Sequence, residues 1–303
     1  MLSHEDLSGE CCVVCDNLTN LRANHLCHLA LEEDEGRLIQ MEKLDIRSVN
    51  SERINDLIDL CIPPDKKDDP LFVEGMNAKK RWAITVIEKH GSIAKLAYLN
   101  SEPVGLIQYQ PNVEERVVEI GCIFVPEEKN LRKGIGKSLL EALVEEMKEP
   151  KLAFNNDIPL AFVTLAFEVL GWYPQRKFYQ RMGFKKVRGG DPFLLYYPLK
   201  KGYVYRPKER KFIPQEEDRE KALIFYDPSC PFCIYFSENI KKSIREVAPD
   251  IPIRMINKFE ESEEVRRRGQ VPSCAVNGKP IETFFMDKEN FQKEVKRALG
   301  YSG

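Results

Sequence analysis

The spacing of apolar and polar residues predicts that strands and helices follow one another from about residue 41 to the end of the chain. Segments with two-residue periodicity indicate strands, and segments with periodicity of three or four residues indicate helices. Cap and turn residues separate them. The first predicted elements are a strand at 41–50, helices at 51–61 and 73–89 around a break at 63–70, and strands at 93–99 and 104–110 flanking a hairpin turn at 100–103.

A β-rich run at 117–125 comes next, followed by a polar loop and two glycines that open an amphipathic helix. Gly134 and Gly136 stand at the start of this helix, and its apolar residues include Leu139, Leu140 and Leu143. A helix start offers free backbone N–H groups and the positive end of a helix dipole. Glycine lets a ligand approach the backbone closely. The stretch therefore predicts a phosphate-binding site.

The remaining pattern divides into two parts. The first contains an apolar strand at 161–170, a helix at 172–181 and strands at 184–187 and 193–197. Residues 201–220 are charged and interrupted by proline, which is typical of a linker. The second part contains strands at 222–226 and 251–257, helices at about 230–247 and 260–268, a hairpin turn at Asn277-Gly278, a strand at 282–285 and a final helix at 288–299.

Two motifs resemble those of the GNAT acetyltransferases. Gly134-x-Gly136 after a strand ending at Val125 resembles their motif A, although Leu131 stands where the family has Arg or Gln. The run 177–184, Lys-Phe-Tyr-Gln-Arg-Met-Gly-Phe, resembles their motif B. The order of predicted elements over 41–200 also matches the GNAT fold. The expected fold class is therefore α/β with mixed (α+β) sheets.

The resemblance implies acetyl-CoA as the acetyl donor and an amine, small molecule or protein, as the acceptor. The pantetheine arm is expected along the backbone of the strand end, and the pyrophosphate on backbone N–H groups of the glycine loop. Tyr179 matches the motif B tyrosine, which implies a proton donor to the departing thiolate. The expected cofactor-binding residues are Ile123, Phe124, Val125, Arg132, Lys133, Gly134, Ile135, Gly136 and Lys137.

The general base is less well defined by the sequence. Glu119 is the candidate because it lies on the motif A strand, and Glu114 and Glu115 in the preceding turn are weaker candidates. A solvent-facing structural glutamate is an equally good interpretation of Glu119, and a water chain could replace a side-chain base. Cys122, on the same strand, is interpreted as core packing.

The second part carries Cys230-Pro-Phe-Cys233 between a strand and a helix, a pattern typical of redox thiols. Cys230 is the expected nucleophile and Cys233 the resolving thiol. The element order resembles the thioredoxin fold and is closest to glutaredoxins, which makes Pro272 a candidate cis proline. Cys274 adds a third thiol and makes metal or metalloid binding conceivable. A GNAT domain followed by such a domain resembles proteins with a C-terminal YoaP-like domain.

Residues 1–40 hold a further cluster of possible ligands. Cys12, Cys15, His25 and His28 could supply the four ligands of a tetrahedral zinc site. The alternative is a helical or disordered extension with incidental cysteines. The expected organisation is an extension at 1–40, a GNAT domain at 41–200, a linker at 201–220 and a thioredoxin-like domain at 221–303.

Composition narrows the functional classes. A length of 303 residues predicts two domains. A net charge of −2 gives no basic bias toward nucleic acids or anionic membranes, and the sequence lacks an apolar run of membrane-spanning length. Nine cysteines, an odd number, suit a reducing compartment, so the expected location is the cytoplasm.

Three functions fit these features. The leading hypothesis is an acetyl-CoA-dependent N-acetyltransferase with an attached thiol-redox domain that meets a thiol or disulfide partner. The alternative is a thiol-disulfide oxidoreductase or metal-handling protein in which the GNAT domain is regulatory. The third is a module that holds coenzyme A without catalysis.

Overall fold

The computed structural model describes residues 44–166, 174–189, 191–208 and 210–301. These residues form two compact units. The first contains 44–61 and 89–207, and the second contains 62–88 and 208–301. The predicted zinc ligands in 1–40 lie outside the described residues. Within the described ranges, none of the helices has the combined length and apolar character needed to cross a bilayer.

The first unit contains seven strands and three α-helices among its described residues. The helices are α1 (Ile54–Asp59), α3 (Ile135–Glu146) and α4 (Gln175–Arg181). The strands are β1 (Leu44–Ser48), β2 (Ala94–Leu99), β3 (Glu102–Asn112), β4 (Val117–Phe124), β5 (Ala161–Leu165), β6 (Lys185–Lys186) and β7 (Leu194–Pro198).

The seven strands form one mixed sheet in the order β1-β2-β3-β4-β5-β7-β6. The neighbours β4 and β5 are parallel, and the other neighbouring pairs are antiparallel. The predicted hairpin at 100–103 is confirmed: Leu99 pairs with Glu102, and both Asn100 and Ser101 have positive φ. Two such residues form the turn whose twist matches that of the strands it joins.

Apolar residues cover both faces of this sheet. On one face, helix α3 packs Leu139, Leu140 and Leu143 against Ile120 and Phe162. On the other, Val117 and Val163 pack with the aromatic rings of Tyr196 and Tyr205. Successive strand residues point to opposite faces, so a residue's position along β4 decides which cluster it joins.

The second unit combines helix α2 (Pro70–His90), which begins in this unit, with the C-terminal elements. The strands are β8 (Ala222–Tyr226), β9 (Ile253–Asn257), β10 (Cys274–Val276) and β11 (Lys279–Pro280), and the helices are α5 (Cys233–Arg245), α6 (Ser262–Arg267) and α7 (Lys288–Leu299). The sheet order is β11-β10-β8-β9. Strand β8 is parallel to β9 and antiparallel to β10.

Two predictions about the second unit are wrong. Residues 282–285 were expected to form a strand, but β11 is Lys279–Pro280 because the turn at Asn277 and Gly278 pairs Val276 directly with Lys279. Among the described residues no peptide bond is cis, so Pro272 is trans. The trans form is the intrinsically favoured one for a bond preceding proline, and the neighbouring Ser273 carbonyl pairs with the Phe225 N–H in this geometry.

The segment predicted as a linker, 201–220, packs closely at several points. Tyr205 is buried in the first unit. In the second, the Asp218 carboxylate accepts hydrogen bonds from Arg268 at 2.6 and 2.9 Å, and the two residues are 1% and 0% exposed. Burial opposes ionisation of Asp218, but the hydrogen bonds from Arg268 and the Gln215 N–H hold the pKa of that carboxyl below its usual range.

We expect Asp218→Asn to destabilise the second unit by about 3–5 kcal/mol, because it leaves a buried guanidinium without its anion. Denaturant unfolding measures the loss, and Glu217→Gln, at a half-exposed neighbour, should have a much smaller effect on stability. A lowered folded pKa stabilises the fold above the unfolded pKa of about 3.9 and ceases to do so as the pH falls. The difference between wild type and Asp218→Asn should therefore shrink below about pH 4, and a constant difference would contradict this account.

Candidate active site

The candidate site lies where two parallel strands separate. Strand β4 pairs with β5 only from Val117 to Glu119, opposite Ala161 to Val163, although β4 continues to Phe124. Thr164 donates a hydrogen bond from Oγ1 to the Ile120 carbonyl at 3.0 Å, just past the last paired residue. Beyond this point the described pairing to β5 ends. The edge of β4 can therefore offer backbone groups to an extended ligand that carries amides.

A bulge in β4 accompanies this separation. The register against β3 passes from Ile120 opposite Tyr109 to Cys122 opposite Gln108, so Gly121 is the additional residue. Gly121 and Cys122 are both exposed although β4 is central in the sheet. The prediction that Cys122 packs in the core is therefore wrong, because the bulge and the separation open this part of the strand.

The glycine loop forms the N-terminus of helix α3. Gly134 is the N-cap residue with φ of 81°, and Arg132 has φ of 63°. The Ser138 N–H bonds to the Gly134 carbonyl, so the N–H groups of residues 135–137 lie in the first turn, which has no intrahelical acceptors. Arg132, Lys133 and Lys137 are exposed. The loop thus combines backbone donors, a helix dipole and cations, which together suit phosphate groups.

Tyr179 lies on α4 beside the strand separation. Its ring is 1% exposed and packs 4.9 Å from the ring of Phe184. Burial, together with the proximity of Cys122, raises the pKa of Tyr179 well above its usual value, against the opposing effect of a hydrogen bond with Thr164. The phenol is therefore protonated throughout the neutral pH range, as a proton donor requires.

Glu119 reaches the same separation from the opposite face of the sheet. Val118 and Ile120 belong to the cluster that includes Tyr179, so Glu119, between them, points the other way. Its carboxylate accepts hydrogen bonds from Asn112 at 2.8 Å and from Gln110 at 3.1 Å. The opening between β4 and β5 is thus flanked by a phenol on one face and an oriented carboxylate on the other.

Sequence reasoning missed the pair of Tyr205 and Glu115, which lies on the same face of the sheet as Glu119. Tyr205 donates a hydrogen bond to the Glu115 carboxylate, and its ring lies 6.3 Å from that of Tyr196. Burial raises the pKa of Tyr205, and the charges of Glu115 and Glu119 add to this effect. A signal was present in the sequence, because tyrosines at 203 and 205 are unusual in an otherwise charged linker. Thr164, whose hydroxyl bonds to the Ile120 carbonyl where β4 and β5 separate, carried no such signal in the sequence.

The four predicted redox residues all lie in the second unit. Cys233 begins α5 and is buried, and its N–H bonds to the carbonyl of half-buried Cys230 at 3.1 Å. Burial and the charge of Cys230 raise the pKa of the Cys233 thiol to about 12. Pro272 is half-buried, ahead of β10.

Cys274 packs in a different apolar cluster from Cys233. It lies with Phe291 and Val295, and burial raises the pKa of its thiol. Within the part of the chain that the structure describes, no three His, Cys, Asp or Glu side chains gather in an arrangement that could hold a metal ion.

Comparison with known proteins finds one sequence match, in the region that carries the first site. Residues 52–184 match the sequence model of the Acetyltransferase (GNAT) family. This range includes the strand separation, the glycine loop and Tyr179. No curated protein sequence matches the chain significantly.

Solved structures with similar folds cover about half of the chain. PaiA N-acetyltransferase from Thermoplasma acidophilum, in complex with coenzyme A, shares 17% identity over 52% of this chain and 99% of its own, with a TM-score of 0.38. An acetyltransferase of the GNAT family from Staphylococcus aureus Mu50 shares 18% over 52% and 100%, with a TM-score of 0.35. Naa50 from Arabidopsis thaliana, with the bisubstrate analogue CoA-Ac-MVNAL, shares 19% over 50% and 95%, with a TM-score of 0.32. At these identities and TM-scores the solved structures carry no argument, and the likeness to acetyltransferases rests on the match over residues 52–184.

Proposed function

We propose that this chain, which contains an acetyltransferase domain of the GNAT family, transfers an acetyl group from acetyl-CoA to an amine. One observation carries the proposal: beyond its described pairing with β5, strand β4 leads from the strand separation at Thr164 and Tyr179 toward the N-terminus of α3. A long ligand with amides along its arm and phosphates at one end matches such a path in shape and in chemistry.

The chain's backbone groups would hold acetyl-CoA. The backbone of Ile123, Phe124 and Val125 would pair with the amides of the pantetheine arm. The pyrophosphate would lie against the N–H groups of Ile135, Gly136 and Lys137, with Arg132, Lys133 and Gly134 completing the loop. This division of roles explains why Leu131 is tolerated in place of the family's Arg or Gln, since the contacts come from N–H groups rather than from that side chain.

The transfer would proceed by direct attack within a ternary complex. The amine nitrogen bonds to the acetyl carbon, the carbon–sulfur bond breaks, and the sulfur leaves as a thiolate. Tyr179 would donate its phenolic proton to that thiolate, and its burial supports the role because it keeps the proton on the phenol. Glu119 would accept the proton that the amine loses, directly or through water, and two amide hydrogen bonds orient its carboxylate.

The acceptor would approach from the Glu119 face. Glu115 and Glu119 place carboxylates there beside the rings of Tyr196 and Tyr205. Carboxylates and aromatic faces both attract an ammonium group. These side chains favour a cationic amine, carried by a small molecule or a protein.

A second activity is proposed for the second unit: thiol-disulfide chemistry at Cys230 and Cys233. The sheet order β11-β10-β8-β9 with β10 antiparallel, and the Cys-x-x-Cys between β8 and α5, support a thioredoxin-like, YoaP-like domain. Cysteines that are not joined in a disulfide suit a reducing compartment, for which we infer the cytoplasm. The rival to acetyl transfer as the main activity is thiol-disulfide exchange or metal handling by this unit, with the GNAT domain in a regulatory role. The zinc site at Cys12, Cys15, His25 and His28 stays a prediction.

Coenzyme A binding is tested with two matched glycine variants. Gly134 and Gly91 both have positive φ, and a Cβ added at either meets nothing within 4 Å. Alanine at either position should cost about 1–2 kcal/mol of stability through backbone strain. We expect acetyl-CoA and coenzyme A to raise the melting temperature of wild type and Gly91→Ala, and to raise that of Gly134→Ala much less. No stabilisation of the wild type by either ligand would exclude both transfer and binding without catalysis.

The proton donor is tested with Tyr179→Phe. Loss of the phenolic proton should lower kcat by about 10²–10⁴-fold and leave KM for acetyl-CoA nearly unchanged. Tyr98→Phe, which removes the hydroxyl of another buried tyrosine of the first unit, serves as the control. Because the pKa of Tyr179 is raised, its acid form persists through the alkaline range, and we expect no decline in kcat assigned to Tyr179 up to about pH 10. A fully active Tyr179→Phe would contradict the role.

The general base is tested with Glu119→Gln, which preserves shape and removes the proton acceptor. We expect kcat/KM to fall by about 10²–10⁴-fold at pH 7. The deficit should shrink as the pH approaches the pKa of the acceptor amine, about 10.4 for a lysine-like amine, since the substrate then arrives deprotonated. Glu115→Gln tests the weaker candidate in the same assay. A pH-independent deficit in Glu119→Gln would assign this residue a structural role instead.

A further inference from the structure

Helix α2 lies directly on the loop between the two cysteines of the second unit. A Cβ added to Gly75, in the second turn of this helix, would stand 1.8 Å from the Pro231 carbonyl oxygen. Real Cβ atoms do not approach backbone so closely, and a backbone carbonyl cannot rotate away as a long side chain can. Only glycine at 75 allows α2 to rest on the Cys-Pro-Phe-Cys loop.

Other residues on the same stripe of α2 extend this contact. The Phe72 ring lies 5.0 Å from the Phe232 ring, edge to face, and 5.1 Å from that of Tyr235. Ala78 is buried in one cluster with Cys233 and Ile234. Positions 71, 75 and 78 recur at helical spacing, and Leu71 packs against the same cluster.

The helix comes from a different part of the sequence than the loop it covers. Helix α2 lies within residues 52–184, which match the acetyltransferase family, yet the residues it contacts here all follow position 208. A residue further along the helix contacts the same C-terminal segment, since Arg81 Nε lies 3.4 Å from a Glu260 carboxylate oxygen. The surface over the cysteine loop is therefore occupied by the chain itself.

We propose that helix α2 is the resident occupant of the docking surface around Cys230 and Cys233, and that its seating is coupled to their oxidation state. A folded partner protein would need this same surface to reach Cys233, which α2 keeps buried. Pro231 lies between the two cysteines, so any adjustment of the loop on disulfide formation acts on the carbonyl that meets Gly75. Helix α2 is in contact with the loop in the state in which Cys230 and Cys233 are both thiols.

Oxidation of Cys230 and Cys233 to a disulfide requires an oxidant, and a small disulfide can supply it. The half-buried Cys230 thiolate attacks oxidised glutathione, forming a mixed disulfide and releasing one reduced glutathione. The Cys233 thiolate then attacks the mixed disulfide and releases the second glutathione, so the protein loses two protons and two electrons. The turn hydrogen bond from the Cys233 N–H to the Cys230 carbonyl keeps their Cα atoms within about 7 Å, which permits the bond.

Coupling of this kind is reciprocal. If oxidation weakens the seating of α2, then weakening the seating must favour oxidation by the same factor. The inference rests on the proposed thiol chemistry and is independent of acetyl transfer, so a change in α2 that leaves the cysteines untouched provides the test.

The experiment compares Gly75→Ala with Asn77→Ala in the full chain. Both substitutions raise helix propensity, by about 1 kcal/mol or less, so neither weakens the helix itself. Asn77 is exposed, whereas Gly75 meets Pro231. The proteins are equilibrated in glutathione redox buffers, and mass spectrometry of the peptide holding 230–233 gives the fraction oxidised. Iodoacetamide labelling of Cys233 in a Cys230→Ser background measures its accessibility.

For Gly75→Ala we expect the dithiol–disulfide equilibrium to shift about tenfold toward the disulfide, which is about 30 mV toward more negative potential. Cys233 alkylation should accelerate by about the same factor. Asn77→Ala should match wild type in both measurements. Phe72→Leu, which keeps an apolar side chain, should shift both in the same direction and replaces Gly75→Ala if that variant does not fold.

The outcomes separate the two hypotheses. If no Cys230–Cys233 disulfide forms at any glutathione ratio, the proposed thiol chemistry is wrong, and the coupling fails with it. If the disulfide forms but Gly75→Ala and Phe72→Leu match Asn77→Ala, the thiol chemistry stands and the coupling to α2 is overturned.

Discussion

The first unit depends on the separation of two parallel strands. Among the described residues, strands β4 and β5 share three residue pairs, and this pairing ends at Glu119 although β4 continues to Phe124. Buried backbone groups need hydrogen bonds, and a gap in a sheet is costly unless something fills it. Thr164 satisfies the Ile120 carbonyl, just past the last described pair, and under the proposed function a ligand with amides would meet the backbone groups that follow.

The same gap brings together side chains that a closed sheet would keep apart. Tyr179 packs with the α3 face and Glu119 points to the opposite one, so an intact ladder would separate the two side chains. Under the proposed function, both would act on one reacting group where the described ladder ends. The bulge at Gly121 serves the same end, because it exposes β4 at the point of divergence without breaking its pairing to β3.

Local patterns predicted local features well. The glycines at 134 and 136, the turns at 100–101 and 277–278 and the helix over 288–299 all follow from rules that act within a few residues. Features set by distant residues were missed. The local pattern predicts a core position for Cys122. The structure exposes it because of a bulge, and that bulge depends on the register with β3, which the pattern of β4 alone does not contain. The local sequence likewise predicts a linker around Tyr205 and Asp218. Their partners, Glu115 and Arg268, are far away in the sequence, so no local rule indicates that these residues are buried. Gly75 reads as an ordinary helical glycine until Pro231 is placed beside it.

The position of α2 also bears on how the chain is assembled. Its partners in the second unit are synthesised long after the helix itself, and the ion pair between Arg81 and Glu260 joins residues 179 positions apart. Closing so long a loop is slow compared with forming helices and hairpins. The apolar side chains of Phe72 and Ala78 must therefore stay exposed to solvent, or contact another protein, until the segment that holds Phe232 and Cys233 has been synthesised. A chain cut after its first unit would never cover them, so the two units cannot be divided by a single cut.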